Sequence, residues 1–562
     1  MELCHNRARG LVMGPALPPP LNAMLKPGSV WGFPRGLAVW LLGLTLVRLV
    51  AAAVIPYTED EAYYRLWAQH LALGYYDHPP MMAWWIAIGQ SLFGDTPFGA
   101  RLLAVLASGL TSLLIYRIGA LAGLSERASS RAALWYNFTF LVAFGGYLIV
   151  PDAPASFFWV LTLYAVVRAT GEGSDRGKIW WLAAGATAGL ALLSKYSALF
   201  FAPGLGIWLF TSQTGRKELL RPGPWLAALV ALSLFGLNIY WNLQHGLVSF
   251  EKQFGRVAAE TWTPLRFVDF ALGQWVLINP LVAVLAAMGL IPALKRLRTP
   301  LDPLALVAVI GAPFLLYLAV HSLHAQVQGH WPAPLYPSFA ILAAASLDQK
   351  TVARKPLQSL IAKGIMPLGL LVALLAPLHM AIPATDIFGR YDMSAQIRGW
   401  PRFAHQVEMI RRQTGAAWIG TTNFGEAALL SAQADGAGRA IGAPILQVNE
   451  RDRYAFQPPP DPVALAQPGL MVDLDRRLSL GDLSYCFGSV RKLADVERGD
   501  AEPSWRLSLG GAPLRFALRR FHYAVYLVDH PRFDLVKTGC WEAKNLADSL
   551  KLRQRRLRLS TP

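Results

Sequence analysis

Three consecutive carboxylates, Glu59, Asp60 and Glu61, close the first long apolar run and are followed at once by Tyr63 and Tyr64. Carboxylates at the end of a membrane span must face water or a buried polar site. A second polar knot, Tyr75-Tyr76-Asp77-His78-Pro79-Pro80, lies in the same segment. Further on come Asp152 in Val150-Pro151-Asp152-Ala153-Pro154, Lys195 in Leu193-Ser194-Lys195-Tyr196, and His321, His324 and His330 ahead of Trp331-Pro332. Acids beside a cation at a membrane surface suit a lipid-phosphate substrate. A Lys or Arg holds the phosphate and offsets charge on a phosphate leaving group. A carboxylate takes the proton from an incoming hydroxyl. A divalent metal ion could share the phosphate binding, with Asp77 among its ligands. Together these steps amount to glycosyl transfer from a lipid-phosphate sugar, in which one displacement inverts the anomeric carbon.

Each residue also has a plainer reading. Asp60 and Glu61 could simply end a span in water. Asp152 precedes a helix and could be its N-cap, with or without lining a site. Lys195 could snorkel to the interface. The histidine spacing is no standard metal signature and fits a wet loop. The tyrosines could form an interfacial belt. It is the gathering of acids, a lysine and histidines on one side of a helical bundle that favours a site.

The elements that must position these residues are membrane spans. Of 562 residues, 54% are hydrophobic and only 15% charged, against roughly 25% charged in soluble domains. Runs long enough to cross hydrocarbon fall near 36–55, 98–122, 131–150, 153–170, 178–194, 196–212, 223–242, 270–293, 303–321, 333–347 and 361–383. Residues 79–93 suit an interfacial helix. With the N-terminal segment (1–35) inside, the inner loops collect Arg127, Arg131, Arg168, Arg176, Lys178, Arg216, Lys217, Arg221, Lys295, Arg296, Arg298, Lys350, Arg354 and Lys355. The outer loops are poorer in bases, with Lys252, Arg256 and Arg266 in 243–269 as the partial exception, and that asymmetry is the positive-inside pattern. It accounts for the net charge of +17 without any nucleic-acid partner. The expected architecture is therefore a polytopic α-helical membrane protein of about eleven spans. Residues 36–384 form the membrane domain, with the outer-loop site in 57–97. Residues 385–562 form an extracytoplasmic α/β domain, because short apolar segments there alternate with helix-like ones. Cys486 and Cys540 in that domain could pair or stay reduced; spacing does not decide. The basic tail from Lys551 to Arg558 is either frayed or in contact with anionic lipid.

Asp60-Glu61 with Tyr63-Tyr64, Tyr76-Asp77-His78-Pro79-Pro80 with Trp84-Trp85, Pro151-Asp152-Ala153-Pro154, Leu193-Ser194-Lys195-Tyr196 and His330-Trp331-Pro332 with Pro334 and Tyr336 occur in this order. On these residues the chain resembles the large C-type (GT-C) glycosyltransferases of family 39. It is most similar to their bacterial branch of lipid A aminoarabinose transferases and protein O-mannosyltransferase-like enzymes. The resemblance covers roughly residues 36–440, and Gly399-Trp400 with Gly420 to Glu426 resembles the start of the family's outer domain. It implies a polyprenyl-phosphate-linked (undecaprenyl-type) sugar donor and an inverting transfer on the outer face of a bacterial inner membrane. The acceptor would be lipid A, another envelope glycolipid or a protein. Asp60 matches the candidate base, with Glu61 beside it, and Asp152 matches the second outer-loop acid. A Glu-Lys-Pro motif of the aminoarabinose transferases, tied to metal and lipid phosphate, stands where this chain has Asp77-His78-Pro79. Histidine is only partly charged near neutral pH, so phosphate binding is expected to draw on Lys195 and Arg256 besides His78. Tyr63, Tyr64, Tyr76, His330, Trp331 and Tyr336 are the expected substrate contacts. Two other classes compete. A transporter or flippase of lipid-linked sugars predicts charges along mid-span and paired broken helices. A non-catalytic envelope assembly protein leaves the clustered acids without work.

Overall fold

The computed structural model describes residues 29–30, 32–171, 174–255, 262–348, 356–382, 392–434, 441–499, 508–509, 512–513, 520–533, 535 and 540. Arg256, Cys4, most of the N-terminal segment and the basic tail lie outside the described residues. The chain enters on α1 (Arg35–Val54), turns through α2 (Glu59–Gln69) and α3 (Met81–Phe93), and returns on α4 (Pro97–Leu121). Helices α5 (Glu126–Asn137), α6 (Phe140–Gly145), α7 (Asp152–Gly171) and α8 (Ser174–Leu192) follow. Starts are marked by local chemistry. Thr96 caps α4 with Pro97 in its first turn, and Ser125 caps α5; each oxygen accepts from a backbone N–H that has no partner inside the helix.

Among the described residues seven helices are long and apolar enough to cross a membrane: α1, α4, α7, Pro222–Gln244, Pro280–Arg298, Pro303–His321 and Pro356–Ala381. Three shorter apolar helices, Met81–Phe93, Tyr196–Thr211 and Ala333–Ala345, accompany them. The chain is a polytopic helical membrane protein. In α1, Leu37, Leu41, Leu44 and Arg48 point into the bundle, while Val39, Leu42, Leu46 and Val50 remain exposed. Apolar side chains on both faces are what a helix between protein and lipid requires.

Two expected spans are interrupted. The run 131–150 forms no single helix: α5 ends at Asn137, α6 is six residues long, and turns lead to α7. Arg48 fastens this break, donating to Asn137 Oδ1 (2.7 Å), Ser108 Oγ (3.1 Å) and the Val142 carbonyl (3.3 Å). Irregular backbone at membrane depth survives only where protein satisfies its polar groups. Gly146 is required here, since a Cβ would meet Arg48 Nε at 2.7 Å. The run 270–293 splits at Asn279, whose φ of 71° ends one helix while its side chain caps the next. The Asn279 amide also donates to Phe138 O at 3.0 Å, tying the two breaks together.

The C-terminal residues build a mixed five-stranded sheet from β1 (Trp418–Thr421), β2 (Ile445–Gln447), β3 (Gly469–Leu474), β4 (Phe487–Arg498) and β5 (Phe521–Pro531). Strand order is β2-β1-β3-β5-β4. β1 runs parallel to β2 and β3, and β5 runs antiparallel to β3 and β4. β1 and β3 are buried along their whole length, as central strands covered on both faces must be. Helices Trp400–Thr414 and Phe424–Ala434 accompany the sheet. Cys486 and Cys540 are joined in a disulfide with their Cα atoms 5.5 Å apart.

Candidate functional site

The helix carrying the acids is set by its own first turn. Thr58 and Glu61 form a reciprocal capping box at the start of α2, which satisfies two otherwise unpaired donors. Glu61 is fully buried. It accepts from Arg101 Nε (2.8 Å), Arg101 Nη2 (2.6 Å) and Ile149 N (3.0 Å). Burial pushes its carboxyl up, but Arg101 and these hydrogen bonds outweigh that and hold it below the usual range. Arg101 also binds the carbonyls of Ile55 (2.5 Å) and Pro56 (2.8 Å) at the end of α1. Glu61, expected as a catalytic acid, is thus a fastener between α1, α2, α4 and the approach to α7, and it does not line the cavity.

Asp60, its neighbour, faces the other way. It opens into a cavity of about 820 Å³ lined also by Glu59, Tyr63, Tyr64, Asp77, His78, Asp152, Lys195, His330, Trp331 and Arg453. Asp60 is exposed toward the cavity while protein surrounds it on its other sides. Burial, then Glu59, Asp77 and Glu61, push the Asp60 carboxyl up to about 6, against the opposing charge of Arg453. Burial likewise raises Glu59.

The other expected residues fall around this point. Asp152 sits in the first turn of α7, and Lys195 lies in the break after α8, with Nζ 2.6 Å from Asp152 Oδ1. His330 Nε2 lies 3.6 Å from Asp152 Oδ2, and burial lowers the imidazole's proton affinity more than Asp152 restores it. Asp77 accepts from Arg453 Nη1 (2.7 Å), and its Oδ2 lies 3.2 Å from the Tyr63 oxygen, whose proton is turned to the Arg453 carbonyl. Away from this polar end the lining turns apolar, through Leu141, Val142, Leu199, Phe200, Leu277, Phe314 and Leu318.

Other expectations are corrected. Tyr336 is fully buried in the helical core with its hydroxyl on Gln274 Oε1 at 3.0 Å, away from the cavity. Tyr76 does not line it either; its ring packs under Lys252 and Arg453, at 4.9 and 5.6 Å. His321 and His324 are buried edge-to-face, 4.8 Å apart, rather than in a wet loop. Among the described residues no three His, Cys, Asp or Glu side chains are grouped to hold a metal ion. Asp77, the expected ligand, accepts from Arg453. Sequence reasoning missed Arg453, which arrives from the turn Arg451–Tyr454 beyond β2. Its only signal was a charged run, Glu450-Arg451-Asp452-Arg453, beside Tyr454 and Phe456.

A family model described as dolichyl-phosphate-mannose-protein mannosyltransferase matches residues 77–241. The chain is 27% identical to the lipid A galacturonosyltransferase RgtD of Rhizobium johnstonii over 69% of its own length and 80% of that protein's. It is 30% identical to the undecaprenyl phosphate-alpha-4-amino-4-deoxy-L-arabinose arabinosyl transferase of Pseudomonas paraeruginosa, over 55% of this chain and 56% of that one. It therefore spans about half the length of this second relative. Among solved structures, ArnT from Cupriavidus metallidurans bound to undecaprenyl phosphate superposes with a TM-score of 0.55 at 15% identity, covering 87% of this chain and 98% of that one. The fold is that of this ArnT structure. The chain is a glycosyltransferase that resembles the aminoarabinose transferases.

Proposed function

We propose that the chain is an inverting glycosyltransferase that moves a sugar from a polyprenyl-phosphate donor to lipid A or a similar envelope glycolipid, on the periplasmic face of a bacterial inner membrane. The observation that carries this reading is that one cavity holds both the polar groups and an apolar wall. Its polar end gathers Asp60, Asp77, Asp152 and Lys195, and its remainder is apolar enough for a prenyl chain. The named relatives act on lipid A or carry undecaprenyl phosphate in their names, which supports the same donor and acceptor class. Eleven crossings with the N-terminus inside would place the sheet unit outside. The Cys486–Cys540 disulfide supports that side, since such bonds persist in oxidising compartments.

In this mechanism the prenyl chain lies along the apolar wall and the sugar faces Asp60. The ionised Asp60 carboxylate takes the proton from the acceptor hydroxyl as that oxygen attacks the anomeric carbon. The carbon–oxygen bond to phosphate breaks, and the electron pair leaves on the polyprenyl phosphate. Lys195, positioned by Asp152, offsets that charge. Phosphate already leaves well, so no acid on the leaving group is needed, and no step runs through a metal.

The test is mass spectrometry of envelope lipids from cells carrying the wild-type chain, Asp60→Asn or no chain. One glycolipid should lack a sugar both in the deletion and with Asp60→Asn, while the mutant protein accumulates normally. A wild-type lipid pattern with Asp60→Asn would remove Asp60 as the base.

A further inference from the structure

Arg453 belongs to the C-terminal sheet unit, 376 residues from Asp77, yet its guanidinium closes the polar end of the membrane cavity. Among the described residues lining that cavity, the fixed cations are Lys195 and Arg453, facing Glu59, Asp60, Asp77 and Asp152. Lys195 is bound to Asp152. Arg453 is aimed by its surroundings: Nε is paired with Glu450, the guanidinium lies over the Phe424 ring at 4.5 Å, and Nη1 meets Asp77. Its Nη2 makes no hydrogen bond among the described residues, which leaves half of a planar fork for an incoming group. Arginine forks match phosphate oxygens two at a time. A buried carboxylate facing the same fork would hold it in place until an anion competes for it.

We propose that Arg453 is a donor-binding residue: it rests on Asp77 and turns to the phosphate of the lipid-linked donor, so that the cavity is complete only with the C-terminal unit docked. The inference rests on the cavity being the donor site. It gives the sheet unit a direct part in substrate binding and makes Asp77 the resting partner of the phosphate clamp. Once the sugar has left, the phosphate gains a negative charge, and the same fork would hold the product more tightly than the donor.

The experiment measures binding of undecaprenyl phosphate to the full-length protein in lipid nanodiscs, with the uncharged undecaprenol as control. Loss of a charge-assisted contact predicts roughly 10- to 100-fold weaker binding for Arg453→Gln, with Arg453→Lys recovering part of it. Asp77→Asn should bind as tightly as wild type or tighter, because the guanidinium is released. This opposite sign separates a clamp from a mere counter-ion. If Arg453→Gln and Asp77→Asn weaken binding alike, or Arg453→Gln binds normally, the clamp is overturned. If the wild-type chain prefers the phosphate no more than the alcohol, the donor-site reading itself fails. If Asp60→Asn binds the phosphate normally while Arg453→Gln does not, base and clamp are separate groups, as inferred.

Discussion

At Asp60 the environment sets the chemistry. The carboxyl ordinarily ionises near 3.8; burial and then the neighbouring carboxylates Glu59, Asp77 and Glu61 raise it to about 6, while Arg453 pulls it down. Only the ionised form can take a proton. Transfer measured as kcat/KM should therefore rise with pH through about 6 and level off above it. Asp60→Asn should lose roughly 10²- to 10⁴-fold on the plateau above about 6 and less below it, where the wild-type carboxyl is itself protonated. Arg453→Gln should move the inflection upward, since it removes the opposing charge. Stability runs the other way. A carboxyl with raised affinity in the folded state stabilises below its unfolded value, and that contribution is lost as pH rises from 3.8 through about 6. A profile flat from pH 5 to 8 would mean that Asp60 does not ionise in the rate-determining step. Most of the charged and histidine positions that line the cavity were legible in the sequence, because acids, a lysine and histidines at the ends of apolar runs have few other places to go. Which of three adjacent acids turns away from the cavity was not legible. Helix phase and the Arg101 partner decide it, and neither follows from local spacing.

At the scale of elements, the Glu61–Arg101 pair aims the acid-bearing helix. Both side chains are fully buried, and the pair joins the end of α1 to the start of α2. Removing one partner leaves an uncompensated buried charge, a loss of about 3 to 5 kcal/mol. Arg101→Met and Glu61→Gln should each lower the melting temperature and yield of purified protein. The double variant should recover part of the loss, because no lone charge remains. Independent, additive losses would show that the two side chains act separately. The helix breaks explain why the pattern of spans was only partly readable. Hydropathy sees 131–150 and 270–293 as continuous. What divides them is a buried arginine from another helix at the first, and a positive φ at Asn279 followed by proline at the second. Pro280 was visible in the sequence; the contact with Arg48 spans 89 residues and was not.

At the scale of the molecule, the C-terminal sheet unit is held against α2, and the contact is close. Tyr63 donates to the Arg453 carbonyl at 2.7 Å and packs edge-on against Phe424 at 5.3 Å. Tyr454 donates to the Phe424 carbonyl at 2.7 Å. The helix Phe424–Ala434 can approach α2 because residue 425 is glycine: a Cβ there would lie 2.7 Å from Glu59 Cβ. Glu59 is wedged on this seam near Glu426, whose carboxyl is pushed well up by burial and by Asp473. A side chain at 425 must push the two units apart, at a cost of about 1 to 3 kcal/mol. That penalty falls first on the seam, where one apolar cluster runs from α2 into the helix Phe424–Ala434. Gly425→Val should therefore leave the membrane helices folded and the protein abundant, yet make the C-terminal unit more sensitive to limited proteolysis. Transfer should fall by about tenfold or more, since a guanidinium displaced from its site loses its charge-assisted contact. Gly415→Ala, at a left-handed position with open space around it, controls for strain inside the sheet unit and should leave both readouts near wild type. Full activity in Gly425→Val with increased proteolysis would mean that the membrane domain works without its docked partner.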